Sequence, residues 1–192
     1  YQSDEWEEIA SAKAIRMAIK DNKDYHMATP IEIKEPLFNN DLYPYLQRIL
    51  LTSDKKRLEE IFLVSEGIEN LLIKNAYEND TYEGFLSASI SRRYTRARIQ
   101  RICINIINNI TKEEYKALEP LNYVRVLGFN SKGREYLKQF RDREDFKIVT
   151  QFKNIPESYK NIEWKVANIY ASYTSDRKAY LKQELRGPTI ID

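Results

Sequence analysis

The sequence predicts a mainly α-helical fold with one small parallel β-α-β element near its carboxyl end. Apolar residues recur at helical spacing through much of the chain, as in Ile99, Ile102 and Ile106. In residues 123–129, by contrast, apolar and polar side chains alternate, and residues with high β-propensity are frequent. Residues 146–152 are similar. A helical stretch separates these two segments. This order predicts a parallel pair at 123–128 and 146–151 with a right-handed crossover.

The first predicted helix covers residues 4–20. Ile9, Ile15 and Ile19 supply apolar positions, and acidic residues fill the first turns, where the helix dipole favours them. An alternative start lies at Ser11, whose side chain is suited to an N-cap. The remaining helices are expected at 42–51, 55–63, 65–77, 82–90, 95–109, 111–118, 132–142 and 161–174, followed by a polar tail.

Three prolines and an Asn-Asn-Asp run between residues 27 and 44 indicate a linker with turns. We therefore divide the chain into residues 1–26, the end of one domain, a linker at 27–44, and a helical domain at 45–192. The last includes the β-α-β element at about 121–152. Because the chain starts at Tyr1 without an initiator methionine, we expect it to be part of a longer protein.

Composition excludes several kinds of site. The chain has 31 Lys and Arg against 29 Asp and Glu, so only local clustering of charge can favour nucleic acid. Cys103 is the only cysteine and His26 the only histidine, which argues against an internal disulfide and a thiolate or histidine metal centre. No apolar run approaches a membrane span, and the acidic start is unlike a signal peptide. We expect a cytoplasmic protein without a membrane partner.

The densest charged motif lies at residues 91–101, where five arginines occur without an acid among them. Thr95 is a plausible N-cap there, and arginines at a helix start are disfavoured by the dipole unless an anion binds. Arg101 is expected to be exposed, with Arg98 at the edge of the buried stripe. Tyr94 is expected either to stack on a base or to pack. The alternative to phosphate binding is a solvated basic face beside acids such as Glu83. The candidate contacts are Arg92, Arg93, Tyr94, Arg96, Arg98 and Arg101.

Two further motifs are weaker. In residues 9–16, Ser11 near a helix start and Arg16 one turn later are suited to hold a phosphate, although a capped helix with a surface arginine has the same pattern. Around residues 125–134, Lys132 and Arg134 follow the end of a predicted strand, where ligands often bind. A single glycine, Gly133, does not make a phosphate loop, so a turn is the simpler interpretation.

Four segments together resemble the carboxyl-terminal part of the bacterial tRNA(Met) cytidine acetate ligase family, within the HIGH-type nucleotidyltransferase group. The segments are residues 9–16, 40–46, 93–101 and 124–133. Residues 9–16 are similar to a Ser-Ala-x-x-Ile-Arg signature of the family, and residues 93–101 are the most specific of the four. Arg96 is a possible departure, since we do not expect a basic residue there across the family. The resemblance spans nearly the whole chain.

The resemblance implies an enzyme that activates acetate with ATP, with Mg²⁺ expected, and acetylates N4 of the wobble cytidine of elongator tRNA(Met). It implies that residues 1–26 end the nucleotidyltransferase domain, with Ser11 and Arg16 at the edge of the nucleotide site. It also implies tRNA binding by the arginines of residues 92–101, with Lys132 and Arg134. The HxGH-type phosphate motif of the family is absent from this chain. We therefore expect the 192 residues alone to be inactive.

Two other functions fit the same residues. One is a non-catalytic helical RNA-binding or adaptor module that uses the arginine motif. The other is a protein-interaction domain whose arginines bind acidic partners. Salt-dependent tRNA binding separates these two. A homodimer is an arrangement that the sequence leaves open.

Overall fold

The computed structural model describes residues 11–28, 33, 35–140, 143 and 145–190. The chain divides into two units, residues 1–38 and 39–192. Residues 4–10 of the first predicted helix, and residues 29–32 and 34 of the predicted linker, lie outside the described residues. None of the helices in the described part has the length and apolar character needed to cross a lipid bilayer.

In the first unit, helix α1 spans Ala12–Lys20. Ser11 has extended backbone and its hydroxyl accepts a hydrogen bond from the Ala14 amide at 3.2 Å. This satisfies one of the amides that every helix start leaves unpaired. Ser11 is therefore an N-cap, as the alternative start predicted.

Among the residues that the structure describes, the second unit contains nine α-helices, a 3-10 helix at Phe152–Asn154 and four short strands. The helices are α2 (Asn39–Thr52), α3 (Lys55–Glu59), α4 (Ile68–Glu78), α5 (Tyr82–Ser89), α6 (Arg96–Ile107), α7 (Lys112–Lys116), α8 (Ser131–Lys138), α9 (Glu157–Ala171) and α10 (Arg177–Glu184). The strands are β1 (Tyr123–Arg125), β2 (Gly128–Phe129), β3 (Lys147–Val149) and β4 (Thr189–Ile190). The prediction of a mainly helical fold is confirmed.

The expected linker was placed too far along the chain, because α2 already begins at Asn39. Its Pro44 lies inside the helix, although proline removes one backbone hydrogen bond there. Burial of Tyr43, Leu46 and Leu50 on one face of α2 outweighs this cost. Residues 39–44 are thus the start of the helical core and not a turn region.

The main core is formed by α2, α4, α5 and α6. The predicted stripe of α6 is buried in it, with Ile99 and Ile102 fully inaccessible and Cys103 and Ile106 nearly so. A further helix, α9, reaches this core through Ile169. Burial of these apolar side chains supplies most of the driving force for folding.

The parallel strands are shorter than expected. β1 pairs in parallel with β3, with Val124 opposite Ile148. β1 ends at Arg125, and the next strand, β2, pairs with β4. The segment after residue 174, which was predicted only as a polar tail, forms α10 and β4. Strands of two residues carry too little alternation to be recognised in a sequence.

Candidate nucleic-acid interface

The arginine motif lies at the start of α6. Thr95 is the N-cap, and its hydroxyl accepts from the Arg98 amide at 3.4 Å. No acidic residue lies in the first turn of this helix. The positive end of the helix dipole and the arginines are therefore gathered in one place, which favours a bound anion. The predicted cap is confirmed.

A carboxylate from a distant part of the chain reaches two of these arginines. Glu66 Oε2 lies 2.8 Å from Nη2 of Arg93 and 3.0 Å from its Nε. The same oxygen is 3.8 Å from Nη2 of Arg98, which also donates to the Ser65 hydroxyl at 3.4 Å. The hydrogen bond from Arg93, aided by its charge, lowers the pKa of Glu66 below its usual value. Glu66 therefore stays ionised between the two arginines.

The loop that presents Glu66 has an unusual backbone. Leu63, Glu66 and Gly67 have φ values of 70°, 61° and 76°, all in the left-handed region. Such values are strained for residues other than glycine. They also explain why the predicted helices 55–63 and 65–77 are separated by a loop, with α3 ending at Glu59 and α4 beginning at Ile68.

Tyr94 packs into the protein. Its side chain is only 7% exposed and belongs to the main core. The guanidinium groups of Arg93 and Arg98 lie 5.7 Å and 5.1 Å from its ring centre. Of the two roles expected for Tyr94, the structure shows packing. In this conformation the ring supports the two arginines and is not open for stacking on a base.

Arg96 is held by another acid. Its Nη2 donates to both oxygens of Glu83, at 2.7 Å and 2.9 Å. Both side chains are about half exposed, so this is a solvated ion pair. Arg96 therefore fits the alternative of a solvated basic face beside Glu83. Of the five arginines, Arg96 has the weakest case for an RNA contact.

Arg92 and Arg101 are the members of the motif whose guanidinium groups are available to bind an anion. Both are exposed, and within the described ranges neither side chain has an ion pair. Arg101 is exposed and Arg98 is partly buried, as helical geometry predicted. The motif thus combines two unpaired arginines with two that share the single carboxylate of Glu66.

The other predicted site residues lie apart from this motif in sequence. Arg16 is exposed on α1, one turn after the Ser11 cap, and the first turn of α1 carries no acid. Lys132 and Arg134 are exposed on α8, whose N-cap is Asn130. The Asn130 side chain accepts from the Gly133 amide at 2.8 Å, so this segment is a capped helix start.

Arg125 is occupied in an ion triad that the sequence did not reveal. Its Nη1 lies 2.7 Å from Glu163 and 2.6 Å from Glu184, and its side chain is 17% exposed. Tyr123 donates to the other oxygen of Glu163, and burial together with this bond raises the pKa of Tyr123. The two acids lie on helices far along the chain, so no local pattern could have indicated them.

No group of three or more histidine, cysteine or acidic side chains is arranged to hold a metal ion within the part of the chain that the structure describes. Cys103 is buried in the core, and its burial raises the pKa of the thiol to about 12. The Cys103 thiol therefore stays protonated at neutral pH.

Comparisons with known proteins identify the family. Residues 1–184 match the family described as HIGH Nucleotidyl Transferase. A tRNA(Met) cytidine acetate ligase from Limosilactobacillus reuteri is 30% identical over 95% of this chain and 49% of its own length. The enzyme of that name from Oceanobacillus iheyensis is 32% identical over 95% of this chain and 50% of its length. The chain thus spans about half the length of these curated relatives.

Solved structures show the same fold. The apo crystal structure of Thermotoga maritima TmcAL matches 99% of this chain and 53% of its own, with a TM-score of 0.76 and 20% identity. The form bound with alpha-thio ATP matches 96% of this chain, also with a TM-score of 0.76. The resemblance inferred from the four sequence segments is confirmed, and the chain belongs to the HIGH nucleotidyl transferase family.

Proposed function

We propose that this chain is part of an ATP-dependent tRNA(Met) cytidine acetate ligase and that the arginines at the start of α6 hold its tRNA. The names of the relatives support the activity. The division into an end of the nucleotidyltransferase domain (1–26), a linker (27–44) and a helical domain (45–192) belongs to the proposal, with the linker shortened by the start of α2 at Asn39. A cytoplasmic location fits such an enzyme.

The proposed reaction has two steps. A carboxylate oxygen of acetate attacks the α-phosphorus of ATP, which forms acetyl-adenylate and releases pyrophosphate. The N4 amine of the wobble cytidine then attacks the acetyl carbon, AMP leaves, and the amine loses a proton. Elongator tRNA(Met) is the proposed acceptor, and Mg²⁺ is expected to accompany ATP as a substrate complex.

Ser11 and Arg16 are proposed to form the edge of the nucleotide site. The Ser11 hydroxyl is engaged as the cap of α1, so the free backbone amides of the first turn are the groups that remain for a phosphate. Arg16 follows one turn later, is exposed, and is suited to a forked contact with phosphate oxygens. The Thermotoga maritima protein of the same fold was crystallised with alpha-thio ATP, which supports ATP as a ligand of the full-length protein.

The observation that carries the tRNA proposal is the arginine surface itself. Arg92 and Arg101 have no ion pair among the described residues, and Arg93 and Arg98 share one exposed carboxylate. A phosphate at this place would interact with the guanidinium groups and with the dipole of α6. Lys132 and Arg134 of α8 are proposed as additional contacts. Such contacts position an RNA and carry little sequence information.

The test is the double substitution Arg98→Ala with Arg101→Ala in the full-length protein. Binding of elongator tRNA(Met) is measured across a salt series. Each lost phosphate contact should lower the slope of log affinity against log salt by about 0.7–0.9. The matched control is Arg57→Ala with Arg177→Ala, which removes the same charge from exposed positions elsewhere.

Affinity and slope equal to wild type in the Arg98/Arg101 variant would show that the arginines are a solvated face. A loss of the same size in the control would show that only net charge matters. Acetate-dependent release of pyrophosphate from ATP by the full-length protein separates the ligase from an RNA-binding adaptor, since an adaptor releases none.

A further inference from the structure

Helix α6 has a second face, which is neither fully polar nor buried. Ala97, Arg101 and Ile104 follow one another at helical spacing and line a groove of about 470 Å³ with Asn105. Ile104 is 42% exposed there, although Cys103 immediately before it is buried in the core. The α6 helix therefore presents one apolar face to the core and a partly apolar face to solvent.

The opposite wall of the groove is the strained loop before α4. Phe62 and Leu63 form this wall. The Phe62 ring is stacked on Tyr115, with 3.5 Å between ring centres and 12° between planes. Its backbone amide donates to the Ile110 carbonyl at 2.9 Å, beside the isolated bridge between Ile61 and Thr111. These contacts tie the wall to the segment at residues 110–115.

We propose that this groove binds one unstacked nucleobase of the RNA whose phosphates contact the arginines of α6. This inference rests on the proposed function. Unpaired bases in RNA recognition stack on aromatic rings and on arginine planes. Phe62 offers a ring with one face already covered by Tyr115, and Arg101 stands in the groove without an ion pair among the described residues.

Charge favours a nucleotide over an apolar peptide or a second copy of the chain. Among the described residues no acidic side chain lines the groove, and Arg101 is the charged residue of the lining. Arg98 lies three residues before Arg101 on the same helix, so cations continue from the groove to the start of α6. A base in the groove would therefore have its own phosphate beside a guanidinium. The strain at Leu63 is also of the kind that is concentrated at binding sites.

Asn105 adds a polar group at the edge of the groove. Its side-chain nitrogen donates to the Phe62 carbonyl at 3.3 Å. This bond ties α6 to the loop wall and orients the amide, so that its oxygen is the group left to accept a hydrogen bond. An exocyclic amine or ring N–H of a base is a donor of the required kind.

The test fills the groove without changing charge. Ala97→Leu adds an apolar side chain to it, and leucine is nearly as good a helix former as alanine. The matched control is Ala88→Leu, the same change at an exposed position of α5. Both full-length variants are measured with tRNA(Met) over a salt series, and with a single-stranded oligoribonucleotide and its abasic counterpart of equal length.

Wild-type protein should bind the oligoribonucleotide about 5- to 150-fold more tightly than the abasic strand, which is the effect of one stacked base. Ala97→Leu should remove most of this difference and weaken tRNA binding with an unchanged salt slope, because no phosphate contact is lost. Ala88→Leu should behave as wild type.

Two results would overturn the proposal. One is equal binding of the two strands by wild-type protein, and the other is full discrimination retained by Ala97→Leu. If salt-dependent tRNA binding persists in either case, the proposed function stands and only the groove is refuted. Light scattering completes the test: a changed oligomeric state in Ala97→Leu with unchanged RNA discrimination would assign the groove to a second copy of the chain.

Discussion

The Glu66 carboxylate fills one side of the Arg93 guanidinium, with its Oε2 atom at 2.8 Å and 3.0 Å from two nitrogens. The same oxygen is near Arg98 at 3.8 Å. A carboxylate and a phosphate present similar oxygens to an arginine. An RNA phosphate bound as proposed would therefore take the place of Glu66, and the two would compete for the same arginines.

The first prediction concerns this competition. Glu66→Gln removes one negative charge between Arg93 and Arg98 and keeps the shape of the side chain. We expect tRNA to bind roughly fivefold more tightly, the effect of one unit charge at about 4 Å in water. The gain should shrink as salt is added. Equilibrium binding at two salt concentrations measures both effects.

Glu83→Gln is the control for Glu66→Gln. It frees Arg96 from an exposed ion pair of similar geometry, on the side of the motif that we consider least involved. An equal gain in both variants would mean that tRNA responds to total charge. Weaker binding by Glu66→Gln would mean that Glu66 orients the arginines and does not compete with RNA.

The second prediction separates Arg125 from the arginines of α6. Arg125→Ala leaves Glu163 and Glu184 facing one another in a partly buried place without their shared cation. We expect a loss of about 3 kcal/mol in the free energy of unfolding, as when one member of a buried ion pair is removed. Denaturant unfolding measures it. The salt slope of tRNA binding should remain that of wild type.

The contrasting variant is Arg143→Ala, which breaks an exposed pair with Asp145 at 2.6 Å. Exposed pairs contribute little to stability, so unfolding of this variant should be close to wild type. Equal stability of the Arg125 and Arg143 variants would contradict the role assigned to the triad.

Local patterns predicted the parts of this fold that depend on neighbouring residues. The stripe of α6, the caps at Ser11 and Thr95, and the exposure of Arg101 follow from spacing and side-chain chemistry within one or two turns. The family followed from four short segments. Each of these features lies within a window of the sequence that a periodicity or a motif can cover.

Features that depend on distant residues were missed. Glu66 lies 27 residues before Arg93 and is presented from a loop with left-handed backbone. β4 pairs with β2 across about 60 residues of chain and is two residues long. Pro44 misled the prediction of the linker, because the burial that stabilises α2 depends on helices later in the chain.

The third prediction is a pH dependence of stability. Glu114 of α7 accepts from the Thr111 amide in a capping box and pairs with Lys165 of α9. Desolvation opposes ionisation, but the hydrogen bonds from Lys165 and Thr111 outweigh it and lower the pKa of Glu114. Its contribution to stability is thus complete above the usual value of 4.5 and is lost as pH falls through the lowered pKa.

Glu114→Gln tests this dependence, since glutamine keeps a cap acceptor and loses the charge. Between about pH 6 and pH 3, the melting temperature of wild type should fall more than that of the variant. The control is Glu113→Gln, at an exposed neighbouring position, and its melting temperature should fall as much as that of wild type. Parallel curves for Glu114→Gln and wild type would show that the pair with Lys165 does not contribute.

The last prediction tests the nucleotide edge. Arg16→Ala in the full-length protein should slow acetate-dependent pyrophosphate release, with a loss of transition-state stabilisation of about 2–4 kcal/mol if the guanidinium holds the reacting phosphates. Because such a contact strengthens as charge develops, kcat should fall more than the KM for ATP rises.

The control is Lys20→Ala, which removes an exposed cation later on the same helix and should leave both constants unchanged. Binding of tRNA should also be unchanged, since Arg16 is assigned to ATP. Adenylation kinetics equal to wild type in Arg16→Ala would reduce Ser11 and Arg16 to a capped helix with a surface arginine.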